Sequence, residues 1–499
     1  MGADGVHPLI LKNCSRAIAR PLAIIFRKSL VEGLVPEAWR IANVSPIYKK
    51  GDRTDPSNYR PISLTSVVSR VLERVIKDCL LSYLVENELI SPVQHGFVPR
   101  KSCVTNLLET LDYISNALAR GLCVDEILLD FAKAFDLVPH GRLVHKLRGY
   151  GVDDGMSRWF RAFLANRRQR VVLGGEFSSW VDVLSGVPQG SVLGPLLFVI
   201  YINDMPDGLF NVSKLFADDS KILASVGDRL SSERLQGDLD KVCGWARDWR
   251  MRLNVRKCKV VHYGKDNGRH KYYMDGDCGN RVELDSSEME RDLGVHFSSD
   301  LSWDKHIGTV VARANRMLGM LRKAFVSRDL RLWRDLYISL VRPHLEYAVQ
   351  VWNPSLRRNV GMLEDVQKRA TQLPVGLRTL RYEERLSRMG LTTLEERRAR
   401  GDLIQMFKVA TGIEAVGWVV PPLFRKEGTV CGPAGSLRGH GFCYSRESFP
   451  SRVRNDCAKG VSIRHDFFLN RLAPSWNGLP CSAVDAPSLG VFKERLAEL

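Results

Sequence analysis

Asp218 and Asp219 stand side by side between two short apolar runs, Leu215-Phe216-Ala217 and Ile222-Leu223-Ala224. Such a layout reads as a tight strand–turn–strand with carboxylates at its tip. Side chains alternate faces along a regular strand, so the turn decides whether both acids can face one site. A third acid, Asp130, closes the apolar run Ile127-Leu128-Leu129. An acid pair in a hairpin and an acid ending a buried strand are what two-metal phosphoryl transfer requires. Two divalent cations about 3.5–4 Å apart are held there by shared carboxylates, one at the attacking and one at the leaving oxygen. Solvated Asp-Asp turns are also common, so the pair alone decides nothing.

The elements that must position these acids are legible in outline. The 499 residues suggest about three domains, and a hydrophobic content of 44% supports substantial cores. The formal net charge of +17, from 73 Lys and Arg against 56 Asp and Glu, points to a polyanionic partner, nucleic acid before membrane. No apolar run approaches the ~18 residues of a transmembrane helix, and no charged-then-apolar leader opens the chain, which argues against membrane and secreted classes. The 11 cysteines are scattered; Cys79 and Cys243 fall in apolar helical patterns and are expected as reduced, buried thiols. Cys431, Cys443, Cys457 and Cys481, with His440 and His465, lack the close pair spacing of a structural zinc site.

Helical periodicity is expected over Ile18–Val31 and Val104–Ala119. A further amphipathic helix is expected with Val68, Val71, Leu72, Val75, Ile76, Cys79, Leu80, Tyr83 and Leu84 on one face. Residues 36–65 read as strands and turns, Gln169–Leu173 and Trp180–Leu184 as a ribbon about Gly174-Gly175, and Lys259–Tyr263 as a strand. A helix is expected over Leu193–Ile202 and another around Leu235–Met251. This irregular alternation around a mostly antiparallel sheet predicts the α+β class rather than a doubly wound fold. From about residue 300 the chain turns helical, with Val310, Ala314, Met317, Leu321 and Phe325 as an apolar stripe and Arg316 and Lys323 opposite. Residues 368–408 are basic and helical, but Glu383, Glu384, Glu395 and Glu396 suggest intrahelical ion pairs.

Several short motifs then fall in one order. Pro46-Ile47-Tyr48-Lys49-Lys50-Gly51 and Asn58-Tyr59-Arg60-Pro61-Ile62-Ser63-Leu64 come first. Asp130-Phe131-Ala132-Lys133-Ala134-Phe135-Asp136, Gly186-Val187-Pro188-Gln189-Gly190-Ser191 and Phe216-Ala217-Asp218-Asp219 follow. Leu253-Asn254-Val255-Arg256-Lys257-Cys258 and Asp292-Leu293-Gly294-Val295 complete the series. The ordered set closely resembles the reverse transcriptase of non-LTR (LINE-type) retrotransposons of the jockey/CR1-like group, from about residue 2 to 375 and more loosely beyond.

The resemblance implies a right-hand polymerase: fingers and palm over 1–300, a helical thumb over 301–375, and a C-terminal helical segment, 376–499, of unassigned role. It implies RNA-directed DNA polymerase activity by two-metal nucleotidyl transfer to a primer 3′-hydroxyl. Asp130 and Asp218 match the acids that bind both Mg²⁺ ions, with Asp219 a weaker or outer contributor and Mn²⁺ an alternative metal. Hard carboxylate oxygens suit Mg²⁺. Lys49, Lys50 and Arg60 match cations at the triphosphate, and Phe135 a ring beneath the sugar that rejects a ribose 2′-hydroxyl. Gln189 and Gly190 match a turn touching the template base pair and incoming nucleotide. Lys257 matches a lysine facing the leaving pyrophosphate, and Leu293-Gly294-Val295 a grip on the primer end. Asp136 is expected to pair locally. The partners implied are an RNA template, a DNA primer and deoxynucleoside triphosphates, with no membrane. The setting implied is intracellular, nucleus and cytoplasm, without a clear targeting signal. Arg167-Arg168-Gln169-Arg170 is short for an import cluster and is expected on the palm surface. The family's N-terminal endonuclease is expected to be absent from this chain. Two rivals share these features: a non-catalytic nucleic-acid-binding relic, and an RNA-synthesising viral or telomerase-like polymerase.

Overall fold

Two five-stranded sheets carry the residues singled out above. The structure is a computed structural model and describes residues 2–276, 280–422, 443 and 464–499. The first sheet is built from β1 (Ile41–Tyr48), β2 (Tyr59–Leu64), β4 (Arg167–Leu173), β5 (Glu176–Phe177) and β6 (Val181–Val183). β1 pairs antiparallel with β2 and parallel with β4, while β4 pairs antiparallel with both β5 and β6. The second sheet has the order β12-β9-β3-β8-β7, with β3 (Cys123–Leu129) at its centre between β8 (Asp219–Val226) and β9 (Lys259–Tyr263). β7 (Val212–Phe216) and β12 (Asp285–Ser286) form its edges. Two ribbons complete the strands: β10 (Tyr273–Asp275) with β11 (Arg281–Glu283), and β13 (Met289–Asp292) with β14 (Val295–Ser298).

β3 is central because it is covered on both faces, and its two acids are buried only because each is hydrogen-bonded. Asp125 accepts from the Tyr272 hydroxyl at 2.6 Å and lies 2.7 Å from His262 Nδ1, and Glu126 accepts from the Tyr263 hydroxyl at 2.7 Å. The helix Gly194–Ile202 is apolar all round and buried except at Pro195, so it has core on nearly every side.

The helix Val67–Glu86 buries a narrower stripe than its sequence suggests. Leu72, Ile76, Leu80 and Leu84 face the core at i, i+4 spacing, whereas Val71, Val75, Cys79 and Tyr83 are exposed. Only one apolar row is fully buried, beside buried Ser69 and Glu73, and Tyr83 instead donates to the carbonyl of Tyr150 at 3.0 Å. Cys243 is buried as expected and Cys79 is not. Cys431, His440 and Cys457 lie outside the described residues; Cys443 is buried and Cys481 exposed. The Arg167–Arg170 run sits in β4, in the sheet of β1 and β2 rather than beside the aspartates, with Arg167 buried. Among the described residues, no helix is long and apolar enough to cross a membrane.

The region after residue 300 is helical and packs in one continuous core that runs from Leu107 in the helix Cys103–Ala119 to Phe492. Its arginines are used differently from the intrahelical expectation. Arg397 pairs with Glu346 of another helix, and buried Arg398 donates to Asn353 Oδ1 at 3.1 Å. Interhelical pairing wins because these faces point into the bundle, where an unpaired guanidinium would be costly.

His306, buried against Trp352 in the helix Asp304–Ala324, has its pKa lowered to about 4, first by burial and then by His296 and Arg291. A lowered histidine pKa means the unfolded chain takes up the proton first, so stability falls as pH drops from about 6.5 toward 4. The raised carboxyls of Glu126 and Asp219 act in the opposite direction, so the informative measurement is a difference between proteins. Between pH 7 and pH 5, His306→Asn is expected to lose roughly 2 kcal/mol less unfolding free energy than wild type. Parallel profiles in denaturant melts would refute this account of His306.

Candidate active site

The site forms where the β7–β8 hairpin meets the end of β3. Phe216 pairs with Asp219, leaving Ala217 and Asp218 as a two-residue turn, with Ala217 at φ 55°. A positive φ costs a residue bearing a Cβ, so something must hold the turn. Buried Gln94 does so, its Oε1 accepting from the backbone N–H of Ala217 at 3.0 Å and of Gly96 at 2.8 Å. Gly96 packs so closely on Ala217 that any Cβ would collide. The sequence reading missed this loop; its one signal was a buried-type Gln-His-Gly placed between apolar segments.

β3 and β8 pair with Leu129 opposite Ser220, and continuing that register by one residue sets Asp130 beside Asp219. Asp130 is fixed from below: its N–H reaches Cys258 Sγ at 3.4 Å and its carbonyl accepts from Asn254 N–H at 2.7 Å. Its Oδ2 lies 3.1 Å from Lys257 Nζ. Asp130, Asp219, Lys50 and Lys257 line one cleft of about 420 Å³, together with Lys221, Asp292 and Leu293. Asp218, Lys49, Arg60, Phe135, Gln189 and Gly190 do not line that cleft.

Electrostatics nonetheless tie Asp218 and the β1–β2 hairpin to it. Burial raises the Asp218 pKa and the charge of Asp130 raises it further, while Arg60 and Lys49 oppose the rise. Asp219 keeps contact with solvent through the cleft, yet desolvation and the charges of Asp218, Asp292 and Asp130 push its carboxyl up to about 6. Carboxylates that raise one another despite Lys257, Lys221, Arg60 and Lys49 nearby leave room for further positive charge. Among the described residues, no three His, Cys, Asp or Glu side chains form a ready-made metal cage. The donor set still fits Mg²⁺, which binds through one or two carboxylates and completes its octahedron with water and substrate phosphate.

Phe135, Asp136, Gln189 and Gly190 form a second group. Phe135 stacks on Phe198, ring centroids 4.4 Å apart and planes 18° from parallel. Asp136 finds its partner at long range rather than locally, accepting from Gln189 Nε2 at 2.9 Å. The carbonyl of Gln189 accepts from Ser63 N–H at 2.7 Å, docking the turn onto β2. Gly190, at φ 120°, touches the Ser63 carbonyl so closely that no Cβ fits, so the glycine is obligatory there.

Leu293 and Gly294 form the turn of the β13–β14 ribbon, at φ 41° and 94°. Two contacts that the sequence did not announce hold this turn. Buried Lys221, on the same face of β8 as Asp219, pairs with Asp292, and the Tyr347 hydroxyl donates to the Leu293 carbonyl at 2.7 Å.

Residues 47–303 match the protein family described as reverse transcriptase (RNA-dependent DNA polymerase). The RNA-directed DNA polymerase from mobile element jockey of Drosophila melanogaster is 27% identical over 386 residues, covering 73% of this chain and 41% of the relative. The probable RNA-directed DNA polymerase from transposon BS of the same fly is 27% identical over 392 residues, covering 74% and 42%. The chain thus spans about two fifths of the length of these curated relatives. A solved structure of apo telomerase from Candida tropicalis aligns over 80% of this chain and 67% of that chain, at 12% identity and a TM-score of 0.41.

Proposed function

Because this chain belongs to the reverse transcriptase family, we propose that it extends a DNA primer on an RNA template, as the polymerase of a non-LTR retrotransposon. The observation that carries this reading is the register that sets Asp130 beside Asp219, with Asp218 at the same hairpin tip and Lys49 and Arg60 within reach of its charge. In this reading β1 and β2 belong to the fingers, the β3-centred sheet to the palm, and residues 301–375 to the thumb. Residues 376–422 and 464–499 contribute to the core that residues 301–375 share. Asp130, Asp218 and Asp219 would hold two Mg²⁺ ions, which supply positive charge to the attacking and leaving oxygens.

The remaining residues orient the reactants. Lys49, Lys50 and Arg60 bring cations to the triphosphate as negative charge moves toward the leaving pyrophosphate. Lys257, 3.1 Å from Asp130, is placed to give a proton to that leaving group, its own charge held in position by the carboxylate meanwhile. Phe135, braced by Phe198, sits beneath the sugar, and the Gln189-Gly190 turn, fixed to β2, meets the nascent base pair. The Leu293-Gly294 turn holds the primer end. The test is extension of oligo(dT) on poly(rA): deoxythymidine incorporation is expected with Mg²⁺, and none after chelation. Binding of the template–primer without incorporation under any divalent cation would leave only a nucleic-acid-binding relic.

A further inference from the structure

The sheet formed by β2, β1 and β4 is buried on one face and open on the other. Ala42, Val44 and Ser63 point inward and are buried, whereas Ile47 and Arg60, paired with each other on the opposite face, are exposed. Following the register along that outward face, Asn43 lies opposite Arg170, Arg168 opposite Asp182, and Val172 opposite Phe177. The outward positions of these strands therefore carry three arginines, Arg60, Arg168 and Arg170, and one acid, Asp182. Asp182 is 3.7 Å from Arg168, so the face remains cationic.

At the far end, aromatic rings join the cations. The Arg170 guanidinium lies 4.1 Å from the ring centre of Phe177 and 4.6 Å from that of Trp180, and Arg168 is 5.9 Å from Trp180. Arg170 Nε donates to Asn43 Oδ1 at 3.0 Å, which fixes the cluster to β1. Phe177 is 55% exposed, so a large part of its ring stays free for a partner. Cation–π contacts with Arg170 hold these rings in place while part of their surface stays open, and arginine sandwiched by half-open aromatics is the composition of a single-strand stacking platform.

We infer that Arg168, Arg170, Phe177 and Trp180 form a distal binding site for the single-stranded RNA template, several nucleotides before it reaches the carboxylates. Continuity selects this occupant. The same sheet face begins at Arg60, in the β1–β2 hairpin whose Lys50 lines the cleft with Asp130 and Asp219, and ends at the aromatic cluster. Strand geometry puts the two ends on the order of 20 Å apart, four residues along and three strands across. A strand leaving the site over this face reaches Arg168 and Arg170 together with the rings they stack on. The inference rests on the polymerase reading for the identity of the strand, but binding tests it independently of catalysis.

The experiment compares one DNA primer annealed to RNA templates whose 5′ overhangs are 2 or 12 uridines, with affinity and extension measured separately. Wild type is expected to bind the long overhang roughly tenfold more tightly than the short one, the value of about one stacked base. Phe177→Ala with Trp180→Ala is expected to remove that gain, and Trp180→Phe to keep most of it. On the short overhang, which ends before the ribbon, the double variant is expected to match wild type in binding and extension, which also shows that it folds. Wild-type affinity independent of overhang length would overturn the inference, as would an equal loss by the double variant on both overhangs. If wild type bound with overhang dependence but extended neither template, the polymerase reading would fail while this site stood.

Discussion

Asp218→Asn is expected to lower primer extension on the order of 10³-fold while leaving the protein at least as stable as wild type. The two halves of this result come from the same fact. Burial and the charge of Asp130 both raise the Asp218 carboxyl, so its ionised form is held at a cost in the folded protein. A neutral amide of the same shape removes that repulsion, and thermal melts should show an unchanged or higher Tm. A merely structural aspartate would behave the other way, losing stability before activity. Asp219→Asn should cost less activity, about tenfold, because its side chain stands at the solvent edge of the cleft. Wild-type extension by Asp218→Asn, or a larger loss at Asp219 than at Asp218, would refute the division of roles between the pair.

Phe135→Val is expected to let ribonucleotides in, reducing the preference for deoxynucleotides roughly 10²-fold. The ring is held by its stack on Phe198, so a sugar bearing a 2′-hydroxyl cannot displace it by a simple rotation. Removing the ring opens room for the hydroxyl without altering the carboxylates, so deoxynucleotide incorporation should fall little. Competition between ATP and dATP on a poly(rU) template would measure the ratio. Loss of both incorporations in equal proportion would mean that Phe135 supports the fold near Phe198 rather than choosing the sugar.

The acids of the site were legible in sequence because each sits at the end of an apolar run, where strand alternation breaks. Lys259–Tyr263 and the β7–β8 hairpin were read correctly for the same reason. What stayed hidden were long-range partners with no local pattern. Gln94 meets Ala217, Lys221 meets Asp292 and Tyr347 meets Leu293, across separations that no helical or strand period spans. The exposed side of the Val67–Glu86 helix was misread because periodicity shows that apolar residues cluster, not how much of the cluster another element covers. The intrahelical pairing expected over 368–408 missed buried Arg398 for a related cause: composition is blind to which face of a bundle points inward.

The helix Cys103–Ala119 serves two masters. On one side Glu109 pairs with Lys214 of β7, and on the other it accepts from Gly417 N–H at 2.7 Å, while Asp112 pairs with Arg464 and accepts from Val419 N–H at 2.6 Å. One helix thus forms a party wall between the β3-centred sheet and the segments around Gly417, Val419 and Arg464. The family match ends at residue 303, but this helix's contacts run on to Gly417, Val419 and Arg464. A boundary drawn by homology would cut through a shared foundation, leaving Glu109 and Asp112 with their charges facing where a neighbour had been.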